Sequence, residues 1–263
     1  MAETVNPLAV SQKAGHVLWD DSITVRLRSW PHDPSTAFLV MTGAHDDRRS
    51  LPSAEVVSAW LPTVAGFGYS HVRTSAVAPS MQHELSEAGF EVCQELSLLR
   101  AEAPLQIKQA RVLDLRPRKM HHYGGRVTKS TRQKILGVDA QAFGLLWALD
   151  AASLRDALLA TQCSRIFSVT NNDQCEGFIV VARTGVAGFV QRLAIQPHLW
   201  HKGLGSLLLA HGLQWLERQD CEHVVVNTET RNVAALALYQ KFGFQVMPYQ
   251  LSVLERTTSE QTA

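Results

Sequence analysis

The stretch VQRLAIQPHLWHKGLGSLLL, from Val190 to Leu209, constrains the fold of this chain more than any other part of it. An apolar run ends before Pro197, and Gly203 and Gly205 then precede an apolar segment with helical spacing. This order predicts a strand, a glycine-rich turn and the first turn of a helix. The first N–H groups of a helix have no partner inside it, and glycine lets a ligand approach the backbone closely. The stretch therefore predicts a seat for an anion such as a phosphate or a pyrophosphate.

Two known phosphate motifs do not fit this turn. No Gly-Lys-Ser/Thr follows it, which excludes a P-loop. It also lies late in the chain and has only two glycines, which makes it a poor dinucleotide-binding fingerprint. Because Gly-x-Gly turns also flank helices for purely structural reasons, the turn taken alone leaves both interpretations open.

A second motif, NVAALALYQKFGF, runs from Asn232 to Phe244. Asn232 is placed to cap a helix, Tyr239 lies on the apolar face of that helix, and Gly243 ends it. The two motifs in this order resemble those of the GNAT superfamily of N-acetyltransferases. In that family the glycine turn holds the pyrophosphate of acetyl-CoA, and the Asn and Tyr of the second motif lie beside the pantetheine and the thioester.

The resemblance implies an α+β fold whose mixed, mostly antiparallel sheet is flanked by helices, and acetyl-CoA as the cosubstrate. The strand before the glycine turn would offer backbone amides to the pantetheine arm and the acetyl carbonyl. The residues that the resemblance assigns to acetyl-CoA are Leu193, Ala194, Ile195, His201, Lys202, Gly203, Leu204, Gly205, Ser206, Asn232 and Tyr239. The family pattern Q/R-x-x-G-x-G/A has Trp200 at its head here, so Lys202 and the backbone N–H groups are left to hold the anion.

The end of the second motif occurs twice in the chain. LSEAGFEVCQELSLL, from Leu85 to Leu99, is similar to YQKFGFQVMPYQLSVL, from Tyr239 to Leu254. A helix, a glycine and terminal strands recur, which predicts two copies of one fold. No Gly-x-Gly turn precedes the helices of the first copy, so we expect that copy to lack a CoA seat. A chance similarity around a Gly-Phe helix end is the alternative.

We therefore expect two GNAT-like domains of unequal function. Residues 1–118 are predicted to be a degenerate, partial GNAT-like domain, and residues 119–263 an acetyl-CoA-binding GNAT domain. Between them, Arg116–Lys134 has the mixed charge of a solvated linker, with Arg126–Thr128 as the first strand of the second domain. In the first domain, a helix is expected to begin after Ser53 and to end near Pro62.

The resemblance implies direct acyl transfer, in which a free amine attacks the thioester carbonyl. Tyr239 is the candidate catalytic acid, because a phenol with an ordinary pKa of about 10 is protonated at neutral pH and can protonate the leaving thiolate. In the ribosomal-protein alanine N-acetyltransferase branch the base is a Glu five residues before the motif Asn, and here that position is Asn227. Glu229 is the candidate base instead, and it shares a face with Asn227 if the strand continues that far. The alternatives are Asp150, His201 and a water relay.

The resemblance implies an acceptor site between the helices predicted at Gln133–Phe143 and Ser153–Thr161. Phe143, Trp147 and Asp150 are its candidate substrate residues. Their aromatic content suits a partly apolar amine, and ordinary core packing is the alternative for each of them. The expected acceptor is a small-molecule amine, a peptide N-terminus or a lysine side chain.

Composition and charge narrow the class of protein. A net charge of +1 argues against a nucleic-acid partner. No apolar run reaches the length of about 18 residues that a membrane span needs. The four cysteines form no C-x-x-C and the N-terminus has no secretory pattern, so we expect no metal site and a cytoplasmic monomer or homodimer. A regulatory module that binds acyl-CoA without turnover is the alternative function, favoured by Trp200 and Asn227.

Overall fold

Contacts divide the chain into two compact units in a computed structural model, which describes residues 15–21, 23–43, 51–107, 118–124 and 127–258. The first unit comprises Met1–Ser97 with Pro248–Ala263, and the second comprises Leu98–Met247. Each unit has its own hydrophobic core, and the second has a core on either face of its sheet.

The first unit is a sheet with two helices among its described residues. Its elements are β1 (His16–Asp20), β2 (Ile23–Trp30), β3 (Asp33–Gly43), α1 (Ala54–Gly66), β4 (His71–Thr74), α2 (Pro79–Glu87) and the first part of β5 (Glu91–Glu102). β1, β2 and β3 pair antiparallel in turn, and β3 pairs parallel with β4. β4 pairs antiparallel with the last strand of the chain.

The helix α1 shows why one local prediction was wrong. The predicted cap is confirmed, because the Ser53 side chain accepts a hydrogen bond from the backbone N–H of Val56 at 3.5 Å. The helix does not end near Pro62 but continues to Gly66. Burial of one continuous apolar face outweighs the single hydrogen bond that a proline removes. The buried residues of that face are Val57, Trp60, Leu61 and Val64.

The second unit carries the remaining elements of the chain. They are β6 (Lys119–Tyr123), α3 (Lys129–Phe143), a 3-10 turn (Leu145–Trp147), α4 (Ala151–Leu159), β7 (Cys163–Asn171), β8 (Gln174–Thr184), β9 (Ala187–Ile195), a second 3-10 turn (Pro197–Leu199), α5 (Leu204–Glu217), β10 (His223–Glu229), α6 (Val233–Lys241) and the start of β11 (Gln245–Thr257). The strand order is β10-β9-β8-β7-β6, antiparallel from β6 to β9 and parallel between β9 and β10. The predicted α+β fold with a mostly antiparallel sheet and flanking helices is confirmed.

β8 is the central strand of this unit, since its side chains are buried on both faces. Ile179 and Val181 pack in one core with α5, whereas Phe178 and Val180 pack in the other with α3 and α4. A strand that is covered on both faces has a nearly continuous run of apolar residues rather than alternating apolar and polar residues. The sheet is therefore a middle layer, with α5 on one side and α3 and α4 on the other.

Gly212 lets α5 lie close to this sheet. A Cβ built on Gly212 would stand 2.9 Å from Cγ1 of Val181 and 3.1 Å from Cδ1 of Ile179. We expect Gly212→Val to lower the free energy of unfolding by about 1–3 kcal/mol, because over-packing displaces well-packed neighbours. Gly137→Val in α3 is the control, since nothing lies within 4 Å of a Cβ built there. Equal losses for both variants in urea unfolding would contradict the steric explanation.

The predicted repeat has a structural counterpart in the two segments that carry it. Gly89 and Gly243 have φ angles of +78° and +85°. The N–H of Phe90 donates to the carbonyl of Leu85 at 3.0 Å, and the N–H of Phe244 donates to the carbonyl of Tyr239 at 3.2 Å. Both segments therefore end a helix through a left-handed glycine with the same bond pattern, although the origin of residues 1–118 as a degenerate domain copy stays a prediction.

The compact units do not follow the boundary expected at 118/119. The last strand belongs mostly to the first unit, because Glu255, Arg256 and Thr257 pair with β4. Within the expected linker, Lys119–Tyr123 is β6, and its partner strand is β7. The strand expected at Arg126–Thr128 is not observed at its described residues, since Thr128 is the N-cap of α3, and Arg126 lies outside them.

None of the helices in the described ranges combines the length and the apolarity that crossing a bilayer requires.

Candidate functional site

The strands β9 and β10 run side by side and then part. They pair in parallel only over Ala187–Val190 and His223–Val226, and among the described residues no pair of these strands continues beyond Val190. β9 itself continues to Ile195, hydrogen-bonded to β8 on its other side. Residues 191–195 therefore have one edge that does not pair with β10, and an extended ligand can bind along an edge of this kind.

A bulge marks the point where the strands part. Val181 of β8 lies opposite Val190, and Val180 lies opposite Arg192, so Gln191 is an extra residue in β9. Val190 and Leu193 consequently pack against the same core although they are three residues apart. Bulges unpair and re-aim the backbone, and they are frequent beside active sites. The predicted cofactor strand, Leu193 to Ile195, directly follows this bulge.

The glycine turn forms an uncapped helix start. Gly203 is the N-cap of α5 in the left-handed region, with φ +88°, and no side chain caps the helix. The first helical bond runs from the N–H of Leu207 to the carbonyl of Gly203 at 3.0 Å. The preceding N–H groups, of Leu204, Gly205 and Ser206, thus point out of the helix end, where the helix dipole adds partial positive charge. This is the geometry of an anion seat.

The residues before Gly203 complete the turn. His201 is exposed and adopts a φ of +61°, unusual for a residue with a side chain, and Lys202 is partly buried. Trp200, at the position where the family has Gln or Arg, donates its indole N–H to the carbonyl of Ile195 at 2.8 Å. Its ring therefore ties the end of β9 to the turn, a structural role that the sequence analysis did not anticipate.

The second motif lies against this turn. Asn232 caps α6 as predicted, its side-chain oxygen accepting a hydrogen bond from the N–H of Ala235 at 3.0 Å. A Cβ built on Gly205 would stand 3.3 Å from Cδ2 of Leu238, so α6 packs on the first turn of α5. The structure therefore brings together the two segments that the sequence places about thirty residues apart.

Tyr239 is a buried residue of this packing. Its side chain is 5% exposed, belongs to the core shared with α5, and lies with its ring centroid 5.7 Å from that of Phe244. Burial raises the pKa of the Tyr239 phenol well above its ordinary value. The phenol therefore stays protonated throughout the physiological pH range and is a hydrogen-bond donor there.

The candidate base lies at the end of β10. This strand continues to Glu229, and both Asn227 and Glu229 are exposed. Since residues two apart in a strand point to the same side, Glu229 shares a face with the position that carries Glu in the related branch. Whether Glu229 is the base stays a prediction.

The three candidate acceptor residues lie around the turn between α3 and α4. Phe143 is the last residue of α3, and Trp147 closes the 3-10 turn that follows. Asp150 caps α4, its carboxylate accepting a hydrogen bond from the N–H of Ser153 at 2.7 Å. The Asp150 carboxylate thus has a structural partner, which makes it a weaker candidate for a base or for a substrate ligand.

A buried ion pair that the sequence analysis missed holds this turn. Asp139 of α3 is 0% exposed and accepts two hydrogen bonds from the Arg192 guanidinium, at 2.7 Å and 2.8 Å. The same carboxylate accepts the N–H of Leu149 at 2.6 Å. Nη2 of Arg192 also donates to the carbonyl of Trp147 at 2.8 Å, and its guanidinium lies 3.4 Å from the centroid of the Phe143 ring. The network ties α3 and the following turn to the bulge of β9.

Within the ranges that the structure describes, no group of three or more His, Cys, Asp and Glu side chains is arranged to hold an ion.

Comparison with known proteins points to the same segment of the chain as the geometry of the candidate site. Residues 139–244 match the Acetyltransferase (GNAT) family. Mycothiol acetyltransferase of Renibacterium salmoninarum is 30% identical over 121 residues, which are 41% of this chain and 36% of that protein. The [ribosomal protein bS18]-alanine N-acetyltransferase of Escherichia coli (strain K12) is 28% identical over 78 residues, or 30% of this chain and 53% of that protein. The chain thus spans about a third to a half of the length of these relatives.

The fold has a solved counterpart that covers most of the chain. A tandem GNAT protein from the clavulanic acid biosynthesis pathway superimposes with a TM-score of 0.64 at 11% identity, over 91% of this chain and 80% of that one. At this identity the likeness concerns the fold alone. The segment that matches the acetyltransferase (GNAT) family, residues 139–244, contains the bulge, the glycine turn and the capped helix α6, so the similarity to that family lies at the candidate site.

Proposed function

We propose that this chain is an acetyl-CoA-dependent N-acetyltransferase whose active domain is the C-terminal one, which contains residues 139–244. The observation that carries the proposal is the opening between β9 and β10, which begins at the bulge, together with the uncapped start of α5 that follows β9 in the chain. An extended thioester with a pyrophosphate at its far end fits an edge of this kind followed by an anion seat.

The residues at the seat suit a pyrophosphate. The N–H groups of Leu204, Gly205 and Ser206 carry no side-chain cap, and Lys202 supplies a positive charge directly before them. Backbone donors at a helix start bind phosphate oxygens without needing the polar residue that Trp200 replaces. His201 is a further candidate donor because it is exposed in the same turn.

The proposed reaction is a direct transfer of the acetyl group to a primary amine. The amine nitrogen attacks the thioester carbonyl, so that a C–N bond forms and the C–S bond breaks. Backbone N–H groups on the released edge of β9 would stabilise the negative charge that develops on the carbonyl oxygen. The nitrogen gives up one proton, for which Glu229 is the proposed base, and the leaving sulfur gains one from the Tyr239 phenol. Exchange of one proton with water then returns Glu229 and Tyr239 to their starting states.

The acceptor is proposed to be a small-molecule amine, a peptide N-terminus or a lysine side chain. One relative is named for the alanine of a ribosomal protein and another for mycothiol, so both peptide and small-molecule acceptors occur among the similar proteins. The turn between α3 and α4 is the proposed acceptor side, because Phe143 and Trp147 lie there and contact Arg192 beside the bulge.

A second candidate function is a regulatory module that binds acyl-CoA without turnover. It is favoured by Asn227, an amide that cannot serve as the base at the position where the related branch has Glu. Titration calorimetry with acetyl-CoA, combined with a thiol-release assay over a panel of peptide, lysine and polyamine acceptors, separates the two functions. Binding with thiol release supports the transferase, whereas tight binding with no release on any amine supports the module.

Replacement of Tyr239 tests its proposed role. We expect Tyr239→Phe to lower kcat about 100-fold and to change the affinity for acetyl-CoA about twofold at most, since only a proton donor is removed. Tyr249→Phe is the control, because Tyr249 is 40% exposed and lies outside the second unit. A Tyr239→Phe enzyme with the wild-type kcat would show that the phenol takes no part in the reaction.

A further inference from the structure

We propose that Arg192, through its ion pair with Asp139, is the positioning residue that holds segment 144–150 beside the bulge of β9 and thereby sets the affinity for the amine. The inference rests on the proposed function, which puts the reacting carbonyl at that bulge. It concerns residues that are far apart in the chain, since Arg192 and Asp139 are separated by 53 positions.

The Arg192–Asp139 pair is hydrogen-bonded to the backbone of this segment on either side of Ala148. Arg192 holds the carbonyl of Trp147, and Asp139 holds the N–H of Leu149, at 2.8 Å and 2.6 Å. Between those two bonds, Ala148 is buried. A segment bonded at two backbone atoms so close together has little freedom to change its path, so the ion pair determines where the segment lies relative to β9.

The guanidinium is suited to this task in a way that an ammonium is not. It makes two parallel bonds to one carboxylate, a third to the Trp147 carbonyl, and lies on the face of the Phe143 ring. Only a planar fork combines bidentate pairing with stacking. Lysine at this position would keep the positive charge but would lose the geometry, which makes Arg192→Lys the informative variant.

The pair also decides what the segment presents to a substrate. Because the charge of Arg192 is matched by that of Asp139, the pair adds no net charge to the acceptor side. The side chains that the held segment exposes are apolar, with Leu145 76% exposed and Leu146 51% exposed. Loss of the guanidinium geometry is therefore expected to weaken binding of the amine and to leave the distant pyrophosphate seat unchanged.

The test compares steady-state kinetics of full-length variants with the panel amine that the wild-type protein acetylates best. For Arg192→Lys we expect the KM for that amine to rise about tenfold, with kcat changed less than about threefold, because a lost binding interaction acts on KM. The Kd for acetyl-CoA, measured by calorimetry, is expected to stay within about twofold of wild type. If the lysine variant does not fold, Arg192→Gln combined with Asp139→Asn gives a neutral hydrogen-bonding pair for the same measurements.

Arg118→Lys is the matched control. Arg118 pairs with Glu176 at 2.5 Å in the same unit, and the two side chains are 7% and 6% exposed, so the control makes the same replacement in a second buried pair. Its KM for the amine is expected to equal that of wild type.

Several outcomes overturn the inference. These are a wild-type KM in Arg192→Lys, an equal rise in Arg118→Lys, or a parallel loss of acetyl-CoA affinity in Arg192→Lys. Failure of the proposed function is distinguishable, because it appears in the wild-type protein as an absence of thiol release with every amine, and it removes this inference as well.

Discussion

Gly203→Glu is expected to weaken acetyl-CoA binding at least about 100-fold, which corresponds to about 2.7 kcal/mol of binding free energy. Binding this weak is expected to give no measurable heat in calorimetry. The substitution places a carboxylate at the N-cap of α5, in front of the N–H groups that are proposed to bind the pyrophosphate. The carboxylate repels the ligand phosphates and competes with them for those donors. The φ of +88° adds backbone strain of about 1–2 kcal/mol for a residue with a side chain.

Gly68→Glu separates the effect of strain from the effect of charge at the seat. Gly68 has a φ of +87° with nothing within 4 Å of a Cβ built on it, and it belongs to the first unit. The same residue is therefore introduced with the same strain and no proposed ligand contact. Calorimetry with acetyl-CoA is expected to show wild-type affinity for Gly68→Glu and no heat of binding for Gly203→Glu. Retained affinity in Gly203→Glu would mean that the turn has a structural role alone.

Arg192→Met is expected to lower the free energy of unfolding by about 3–5 kcal/mol. The change removes the cation of a buried pair and leaves the carboxylate of Asp139, 0% exposed, with only the N–H of Leu149 as its observed remaining partner. An uncompensated buried charge costs far more than the pair contributes when it is intact. Unfolding by urea, monitored by circular dichroism, measures the difference.

A double variant tests that explanation. Asp139→Asn together with Arg192→Met removes both charges, so most of the lost stability is expected to return, and the non-additivity measures the coupling between the two residues. A loss below about 1 kcal/mol in Arg192→Met would contradict the buried-pair explanation, because it would match a surface salt bridge instead.

The elements around the candidate site could be predicted because their signals are local. The Gly203 turn, the cap at Asn232 and the left-handed Gly243 each depend on a few neighbouring residues with a strong conformational preference. A local signal in the first unit gives a wrong prediction. Pro62 predicts a helix end, but α1 continues to Gly66 because packing of an apolar face overrides a single propensity.

The proposed acceptor side follows from the sequence only in outline, and its role stays a prediction. The aromatic character of Phe143 and Trp147 singles them out, and both residues contact Arg192, whereas Asp150 caps a helix. Arg192 itself carried a usable signal, since it is a charged residue inside an apolar strand. Its partner, Asp139, could not be predicted from the sequence, because a salt bridge across 53 positions depends on how α3 lies on the sheet.

By itself the sequence determined the order of the elements and the local structure of the two motifs at the candidate site, since a glycine turn, a cap and a helix face are properties of consecutive residues. Only the tertiary structure decided that β9 and β10 part after Val190 and that Gln191 forms a bulge, because pairing and register are relations between distant strands. The same holds for the burial of Tyr239 and for the Arg192–Asp139 pair, whose free energies depend on the neighbours that surround them in the folded chain.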